Sequence, residues 1–369
     1  MAGIFDSTNL GSIELSNRHV RSATWEGLAD PDGRMTPDLM RIYEDLADGG
    51  VGLIISSYLY VQQIGKQSLG QIGVYSDDLI PGLSDLAAAV HDRGGKLVGQ
   101  IVHCGGQADR RLNGGHQPVA PSAVDSEGYS MTPRELSGGE IETVISDFAA
   151  AARRLQTAGF DGVQLHGAHG YLLAQFLSAI RNRRTDEYGG SLVNRSRFYL
   201  EVYRAVRSEV GPDFPVMIKI SASDFVEGST TEEDSCYLAS ALAAEGIDAI
   251  EVSGGKPGST KIGAARPNIR ETKDEAYFLP QAEAIRRAAP AVPLMLVGGV
   301  RSPEVIEQIL EQGTADYFSM CRPLIREPSL PARWLSGDRQ RAACISCLGC
   351  FGPAGRGDGI RCVQADSAR

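Results

Sequence analysis

The sequence predicts an α/β fold, a single-domain (β/α)8 or TIM barrel closed by eight parallel strands. Three observations carry that expectation. Eight short β-branched runs recur along the chain, several of them apolar throughout, as strands buried on both faces of a parallel sheet must be. Longer amphipathic stretches alternate with them, which is the order of repeated βα units. Glycines stand where those stretches should stop, at Gly159, Gly211 and Gly246, because glycine enters the left-handed conformation that ends a helix without steric cost.

In chain order the expected strands are His19–Thr24, Gly52–Ser57, Leu97–His103, Gly162–His166, Val216–Ser221, Ala249–Ser253, Leu294–Gly298 and Tyr317–Met320. Thr36-Pro37 opens the first helix, with proline at the first helical position, where its fixed φ suits the turn. Leu83–Arg93, Ile141–Ala158, Asn194–Val210, Thr231–Glu245, Ala276–Ala288 and Pro303–Gln312 follow. An open doubly wound sheet is the alternative. Against it, no Gly-rich turn opening a helix follows the first strand. Two long loops, Gly105–Ser137 and Gly254–Lys273, leave the C-terminal ends of strands. That rim is where barrels of this kind build their sites, so the loops read as lids or binding loops.

Residues 1–335 are expected to form the barrel and 336–369 a cysteine-rich tail. The chain has 369 residues and a net charge of −10, from 36 Lys+Arg against 46 Asp+Glu. An acidic balance argues against nucleic acid or an anionic membrane as the partner. The N-terminus lacks the basic run and apolar core of a signal peptide. No stretch approaches the roughly 18 apolar residues of a membrane span. A cytoplasmic location is therefore expected, with association as a homo-oligomer. Of seven cysteines, Cys104, Cys236 and Cys321 are scattered, while Cys344, Cys347, Cys350 and Cys362 cluster near the end. In a reducing compartment such a cluster points to metal rather than disulfides.

The most informative stretch is Gly162-Val-Gln-Leu-His166-Gly-Ala-His169-Gly-Tyr171. A strand ends here in two imidazoles and a phenol. Two imidazoles three residues apart can both donate to one carbonyl oxygen and polarise it. A nearby phenol can deliver a proton. His-x-x-His can also bind zinc, but no third ligand of the usual metalloenzyme kind follows.

This segment continues into Arg184-Thr-Asp-Glu-Tyr-Gly-Gly-Ser191, and the whole resembles the old yellow enzyme family of NAD(P)H:flavin oxidoreductases. Supporting matches are Leu15-Ser-Asn-Arg18, Gly99-Gln-Ile-Val-His103, Pro133-Arg-Glu-Leu136, Ile220-Ser-Ala-Ser-Asp224 and Val297-Gly-Gly-Val300. The resemblance implies FMN at the mouth of the barrel. It places Ala23, Thr24 and the backbone near Tyr58 against the isoalloxazine ring, with Gln100 at its pyrimidine edge. It makes His166 and His169 the clamp on the substrate oxygen and Tyr171 the proton donor. Ser253 and Gly254 fall at a strand end near the flavin. Gly298, Gly299 and Arg322 match the phosphate site; Arg301 is a weaker candidate that reads equally as a solvated residue at a helix start.

Three positions depart from the family pattern. Lys219 stands where many members carry an Arg beside the flavin N1, keeping the charge but losing the planar fork. Cys321 stands where Gly is common; its amide would still serve the phosphate. Trp25 stands about where one branch of the family carries a Cys that tunes the flavin, and is read as a wall of the substrate pocket or as core.

Cys344-x2-Cys347-x2-Cys350-x11-Cys362 supplies four thiolates. Such sets bind zinc or iron–sulfur clusters. The segment resembles that of the trimethylamine dehydrogenases and 2,4-dienoyl-CoA reductases, which carry a [4Fe–4S] cluster after the barrel and continue into a nucleotide-binding domain. The sequence ends at Arg369, so that domain is not expected within it. A [4Fe–4S] cluster, structural zinc or no metal remain open. Cys104 and Cys236 read as buried small apolar residues.

No Rossmann fingerprint or P-loop is present, so NAD(P)H would not use a Rossmann unit, and the resemblance implies that it stacks over the flavin in the substrate pocket. Arg110, Arg111, Lys256 and Lys261 are candidates for a 2′-phosphate. The first functional expectation is an ene-reductase acting on α,β-unsaturated carbonyl compounds, enones or enoates. The second is an amine or N-methyl dehydrogenase passing electrons to the iron–sulfur centre and an electron-transfer protein. The third is a flavin-binding redox sensor or subunit.

Overall fold

A computed structural model describes residues 3–255 and 263–366. Eight parallel strands close into a barrel. They are β1 (His19–Arg21), β2 (Leu53–Tyr60), β3 (Leu97–Val102), β4 (Gly162–Gly167), β5 (Val216–Ser221), β6 (Ala249–Ser253), β7 (Leu294–Val297) and β8 (Tyr317–Met320). Each pairs with its neighbours in sequence order, and β8 closes against β1. The open-sheet alternative is thereby excluded.

Helices wrap the outside: α1 (Pro37–Asp48), α2 (Ile80–His91), α3 (Gly138–Thr157), α4 (Leu192–Val210), α5 (Glu232–Glu245), α6 (Leu279–Ala288) and α7 (Pro303–Glu311). Short polar side chains start four of them, α1, α3, α4 and α5. The Thr36 hydroxyl accepts from the Leu39 amide, and Ser137 with Glu140 forms a reciprocal cap on α3. These satisfy amides that a helix start leaves without partners. Short helices at Arg322–Arg326 and Leu330–Leu335 follow β8. Among the described residues no helix is long and apolar enough to cross a membrane.

Two differences from the expected elements bear on function. β1 ends at Arg21 rather than Thr24. Ser22 still donates its amide to the Met320 carbonyl, after which the chain turns over the barrel mouth. An N-terminal hairpin, Thr8–Leu10 paired with Ile13–Leu15, was not foreseen. Three-residue strands carry too little pattern to be seen in a sequence. Leu10, Ile13 and Leu15 pack with Val20, Val98, Met217, Ala249, Met295 and Tyr317. They plug the barrel floor.

Alternation with period two then decides what lies above the plug. Along β3, β5 and β6 the inward positions run from Val98 to Gln100, from Met217 to Lys219, and from Ala249 to Glu251 and Ser253. The floor is apolar, the middle layer polar, and the top layer lines a cavity.

Candidate active site

The middle layer is one connected network. The Lys219 ammonium lies 3.2 Å from a Glu251 carboxylate oxygen and donates to the Ser22 hydroxyl at 2.8 Å. Ser22 donates to the other Glu251 oxygen at 2.8 Å, and the Gln164 amide donates to Glu251 at 3.0 Å. Gln100 donates to Gln164 at 2.7 Å. Glu251 is fully buried. A carboxylate so placed is tolerable only because each oxygen is paired.

Above it lies a cavity of about 190 Å³ that opens to solvent. Two walls are set by backbone irregularities. The pairing of β2 with β3 slips between Ile55 and Tyr58, as a bulge beside a site does, and this aligns Tyr58 with Gln100. His169 adopts φ +59°, a conformation that non-glycine residues hold only when their surroundings enforce it. Here the His169 amide donates to Ser221 at 2.9 Å, and Gln107 donates to the carbonyls of His169 and Gly170.

His166, His169 and Tyr171 converge on this cavity. The His166 ring centroid lies 5.2 Å from that of His169 and 4.8 Å from that of Tyr171. Tyr58 stacks on Tyr171 at 5.6 Å. The Ala168 amide donates to Nδ1 of His166, so the ring carries its hydrogen on Nε2 and remains a donor there. The Ser253 hydroxyl is 2.8 Å from Nε2 of His169. Burial, then the neighbouring His169 and Lys219, holds His166 well below the ordinary histidine range. Burial and Lys219 bring His169 down to about 3. Both imidazoles are therefore neutral hydrogen-bonding groups. Burial, with Tyr58 and Cys104 nearby, pushes the Tyr171 phenol well above its usual range, so it holds its proton until substrate takes it.

At the other end, Gly298 and Gly299 turn with φ +128° and +84°, and a Cβ on Gly299 would sit 2.9 Å from the Tyr277 ring. Arg322 is buried, lines the cavity and makes no ion pair among the described residues; one nitrogen donates to the Arg266 carbonyl at 2.7 Å. The Ser319 hydroxyl is buried without a partner and also lines the cavity. An unpaired cation and an orphaned hydroxyl in one cavity fit a phosphate-bearing cofactor such as FMN.

Of the residues expected from sequence, Ala23, Thr24, Trp25, Tyr58, Gln100, His166, His169, Tyr171, Lys219, Ser253, Gly299, Cys321 and Arg322 all line this cavity. Gly254 and Gly298 do not: the Phe278 ring closes on both. Trp25 is a wall rather than core, half-buried, with its indole donating to the Leu69 carbonyl at 2.9 Å. The Lys219 charge is not free, since Glu251 neutralises it. Arg301 also lines this cavity and is not solvated. It is buried, donating to the carbonyls of Gly299, Ile269 and Cys344 and to the Ser346 hydroxyl. Arg111 is exposed and paired with Asp109, while Arg110 donates to the Gly115 carbonyl. Lys256 and Lys261 lie outside the described residues. Ser22, Gln164 and Glu251 were missed, because single polar residues inside apolar strands carry no local signal.

Cys344, Cys347, Cys350 and Cys362 line a second, much smaller cavity of about 20 Å³, which Arg322 also borders. Arg326 donates to the Cys362 sulfur at 3.5 Å. The thiols share a cavity without converging on a point: among the described residues no three His, Cys, Asp or Glu are placed to hold a metal ion. A tetrahedral zinc, with Zn–S bonds of about 2.3 Å, needs its thiolates within roughly 4 Å of one another, so a preformed zinc site does not fit. The same holds for an iron–sulfur cluster, whose thiolate ligands would also have to converge. Cys104 is buried as expected; Cys236 is half-buried.

A family model described as the NADH:flavin oxidoreductase / NADH oxidase family matches residues 3–340. The chain belongs to this family, the old yellow enzymes. It is an oxidoreductase of a family that depends on FMN and uses NAD(P)H. An NADH oxidase of Thermoanaerobacter brockii is 38% identical over 95% of this chain and 53% of its own length. An NADPH dehydrogenase of Geobacillus sp. (strain WCH70) is 36% identical over 89% of this chain and 92% of its own. The solved structure of a 2-naphthoyl-CoA reductase with 2-naphthoyl-CoA superposes with a TM-score of 0.90 at 31% identity, covering 97% of this chain and 56% of that one. The chain thus spans about half the length of the NADH oxidase and of a second curated relative it matches. This old yellow enzyme has Cys344 and its companions beyond the end of the family model, in a segment that the 2-naphthoyl-CoA reductase match must partly include to reach its coverage.

Two outcomes follow from the buried charges. Lys219→Met leaves Glu251 buried and unpaired, and is expected to lower stability by about 3–5 kcal/mol. Adding Glu251→Gln should recover part of that loss in denaturant unfolding; a double variant no more stable than Lys219→Met would contradict the pairing. The second concerns pH. His103 and His169 are held down to about 3, His19 to about 4, and His166 well below its ordinary value, all through burial first. Unfolded histidines take up protons near 6.5 while these do not, so stability falls as pH drops below 6.5. Glu26, raised to about 7 by burial, opposes this, as do Glu275 and Asp224, also raised by burial, because the stability such groups contribute weakens as pH rises. Net proton uptake on unfolding is expected near pH 5, read as a falling denaturation midpoint from about pH 7 to about pH 5. A level or rising midpoint would show that the imidazoles are not held neutral.

Proposed function

We propose that the chain is an FMN-dependent ene-reductase, reducing the C=C bond of α,β-unsaturated carbonyl compounds with NAD(P)H in a ping-pong cycle. One observation carries this reading: two neutral imidazoles and a protonated phenol share one cavity with an unpaired cation at its far end. FMN, when bound, supplies hydride for the β-carbon. His166 and His169 donate to the substrate oxygen and polarise the conjugated system. Tyr171 gives its proton to the α-carbon. Ala23, Thr24, Tyr58, Gln100, Lys219 and Ser253 lie beside the ring in this reading, and Gly299, Cys321 and Arg322 beside the phosphate. Trp25 bounds the substrate. Neutral histidines argue against the amine dehydrogenase alternative, since a cationic amine is better held by aromatic faces or acids. A relative that reduces an aromatic acyl-CoA, by its name, supports a conjugated acyl substrate. Relatives named for NADH and for NADPH support either coenzyme. Cytoplasmic location and homo-oligomer assembly belong to the same reading.

Residues 336–369 are the cluster-binding part of this proposal, with Cys344, Cys347, Cys350 and Cys362 as ligands of a [4Fe–4S] group. Shared lining of one cavity, bordered by the same Arg322 as the flavin cavity, supports it. A separate electron-transfer protein would then be its partner.

Tyr171→Phe is expected to slow enone reduction by about 100-fold or more while flavin reduction by NAD(P)H continues. Full enone turnover by this variant and by a His166→Ala/His169→Ala double variant would sink the assignment. Anaerobically purified protein should contain FMN, iron and acid-labile sulfide, with loss of iron in Cys350→Ser. Stoichiometric zinc, or no metal, would remove the cluster from the account.

A further inference from the structure

Tyr171 does not stand alone. Its hydroxyl donates to Oε1 of Gln67 at 2.9 Å, and the Tyr58 hydroxyl reaches the same oxygen at 3.4 Å. Gln67 lies on the loop after β2, outside the residues that line the cavity. Which face of its amide meets the phenols is fixed by a chain of donors and acceptors. The chain starts at two backbone carbonyls. Gln107 is buried, and its amide nitrogen donates to the carbonyls of His169 (3.0 Å) and Gly170 (2.6 Å). A carbonyl can only accept, so the Gln107 nitrogen is committed and its oxygen faces Gln67. Gln67 must answer with its own nitrogen, at 3.4 Å. Its oxygen is thereby left for the two phenols.

The loop that carries Gln67 is anchored on every side. The amides of Gln67 and Ser68 donate to the side-chain oxygen of the buried Gln71, whose nitrogen donates to the Tyr58 carbonyl. The Ser68 hydroxyl is 2.7 Å from that of Tyr58. Trp25 holds the Leu69 carbonyl. At Gly70 a Cβ would lie 2.3 Å from the Gly27 backbone, so the loop sits directly on the turn that follows β1.

We propose that Gln67, oriented by Gln107, is the positioning residue of the proton donor: it holds the Tyr171 oxygen in place and keeps the phenol protonated between turnovers. This rests on the reading of Tyr171 as the acid. An acceptor opposite the phenol favours its neutral form. When substrate arrives, the O–H turns from Gln67 to the α-carbon. The O–H bond breaks and a C–H bond forms, the O–H electron pair stays on the phenol oxygen, and the hydride for the β-carbon comes from the flavin reduced by NAD(P)H. Solvent returns the proton to Tyr171. The same glutamine pair supports the left-handed backbone of His169, so clamp and acid are set by one chain of amides.

The test compares two oxidants of the NAD(P)H-reduced holoenzyme. An enone needs a proton delivered to carbon, whereas a quinone takes protons on oxygen from solvent. Gln67→Leu is expected to lower kcat for the enone about tenfold, leave its KM within about twofold, and enlarge the solvent deuterium isotope effect, because a misplaced acid makes proton transfer limiting. Flavin content, flavin reduction and quinone turnover should remain within about twofold of the parent. Gln107→Leu should show the same enone-selective loss with a raised KM, since His169 also loses a support. Enone and quinone turnover falling together in Gln67→Leu, or enone turnover unchanged, would overturn the role of Gln67. If Tyr171→Phe itself kept full enone turnover, the acid assignment would fall instead. A slow Tyr171→Phe beside a fast Gln67→Leu would remove only the inference about Gln67.

Discussion

The pairing of Glu251 with Lys219, inside the barrel and away from water, is the constraint on which the site depends. A carboxylate there is tolerable only if every oxygen finds a donor. Ser22 just past the end of β1, Gln164 on β4 and Lys219 on β5 supply them, and Gln100 extends the layer to β3. The layer therefore fixes the relative registers of the strands. It also separates two environments: below it the hairpin residues Leu10, Ile13 and Leu15 complete an apolar plug, and above it the inward positions are free to carry chemistry. The Lys219 ammonium sits at the boundary. Its charge already has a partner, so it reaches the cavity as one end of a dipole rather than as a bare cation.

Neutrality is the common property of the groups above that layer. Burial keeps protons off His166 and His169 and on Tyr171. In water a histidine pair would be partly charged near pH 6.5. Here it is a pair of uncharged groups around one space, suited to a carbonyl and poorly suited to a cation. The strained backbone at His169 is what allows two rings three residues apart to face the same point. Ser221 and Gln107 hold it from both sides.

The cysteine segment is bound into the barrel rather than appended to it. Arg301 ties Gly299 of the glycine turn to Cys344 and Ser346, and the Ile360 amide donates to the Glu26 carbonyl. Phe351 lines the first cavity, one residue beyond Cys350 of the second. The two cavities thus share walls, and a group held by the thiols would lie next to the ligand of the barrel.

The sequence by itself determined the eight-stranded alternation, the helix caps and the convergence of His166, His169 and Tyr171. These depend on local pattern: runs of β-branched residues, glycine at helix ends, and side chains within six positions of one another. It also marked the cysteines by their spacing. What Lys219, Arg301 and Gln67 meet follows from the fold alone. Lys219 and Glu251 are 32 residues apart and Gln67 and Tyr171 are 104 apart. Their meeting is set by barrel closure and strand register, quantities that no window of sequence contains. Arg301 shows the same limit: a basic residue before a helix reads as solvated, and only the fold shows that the tail buries it.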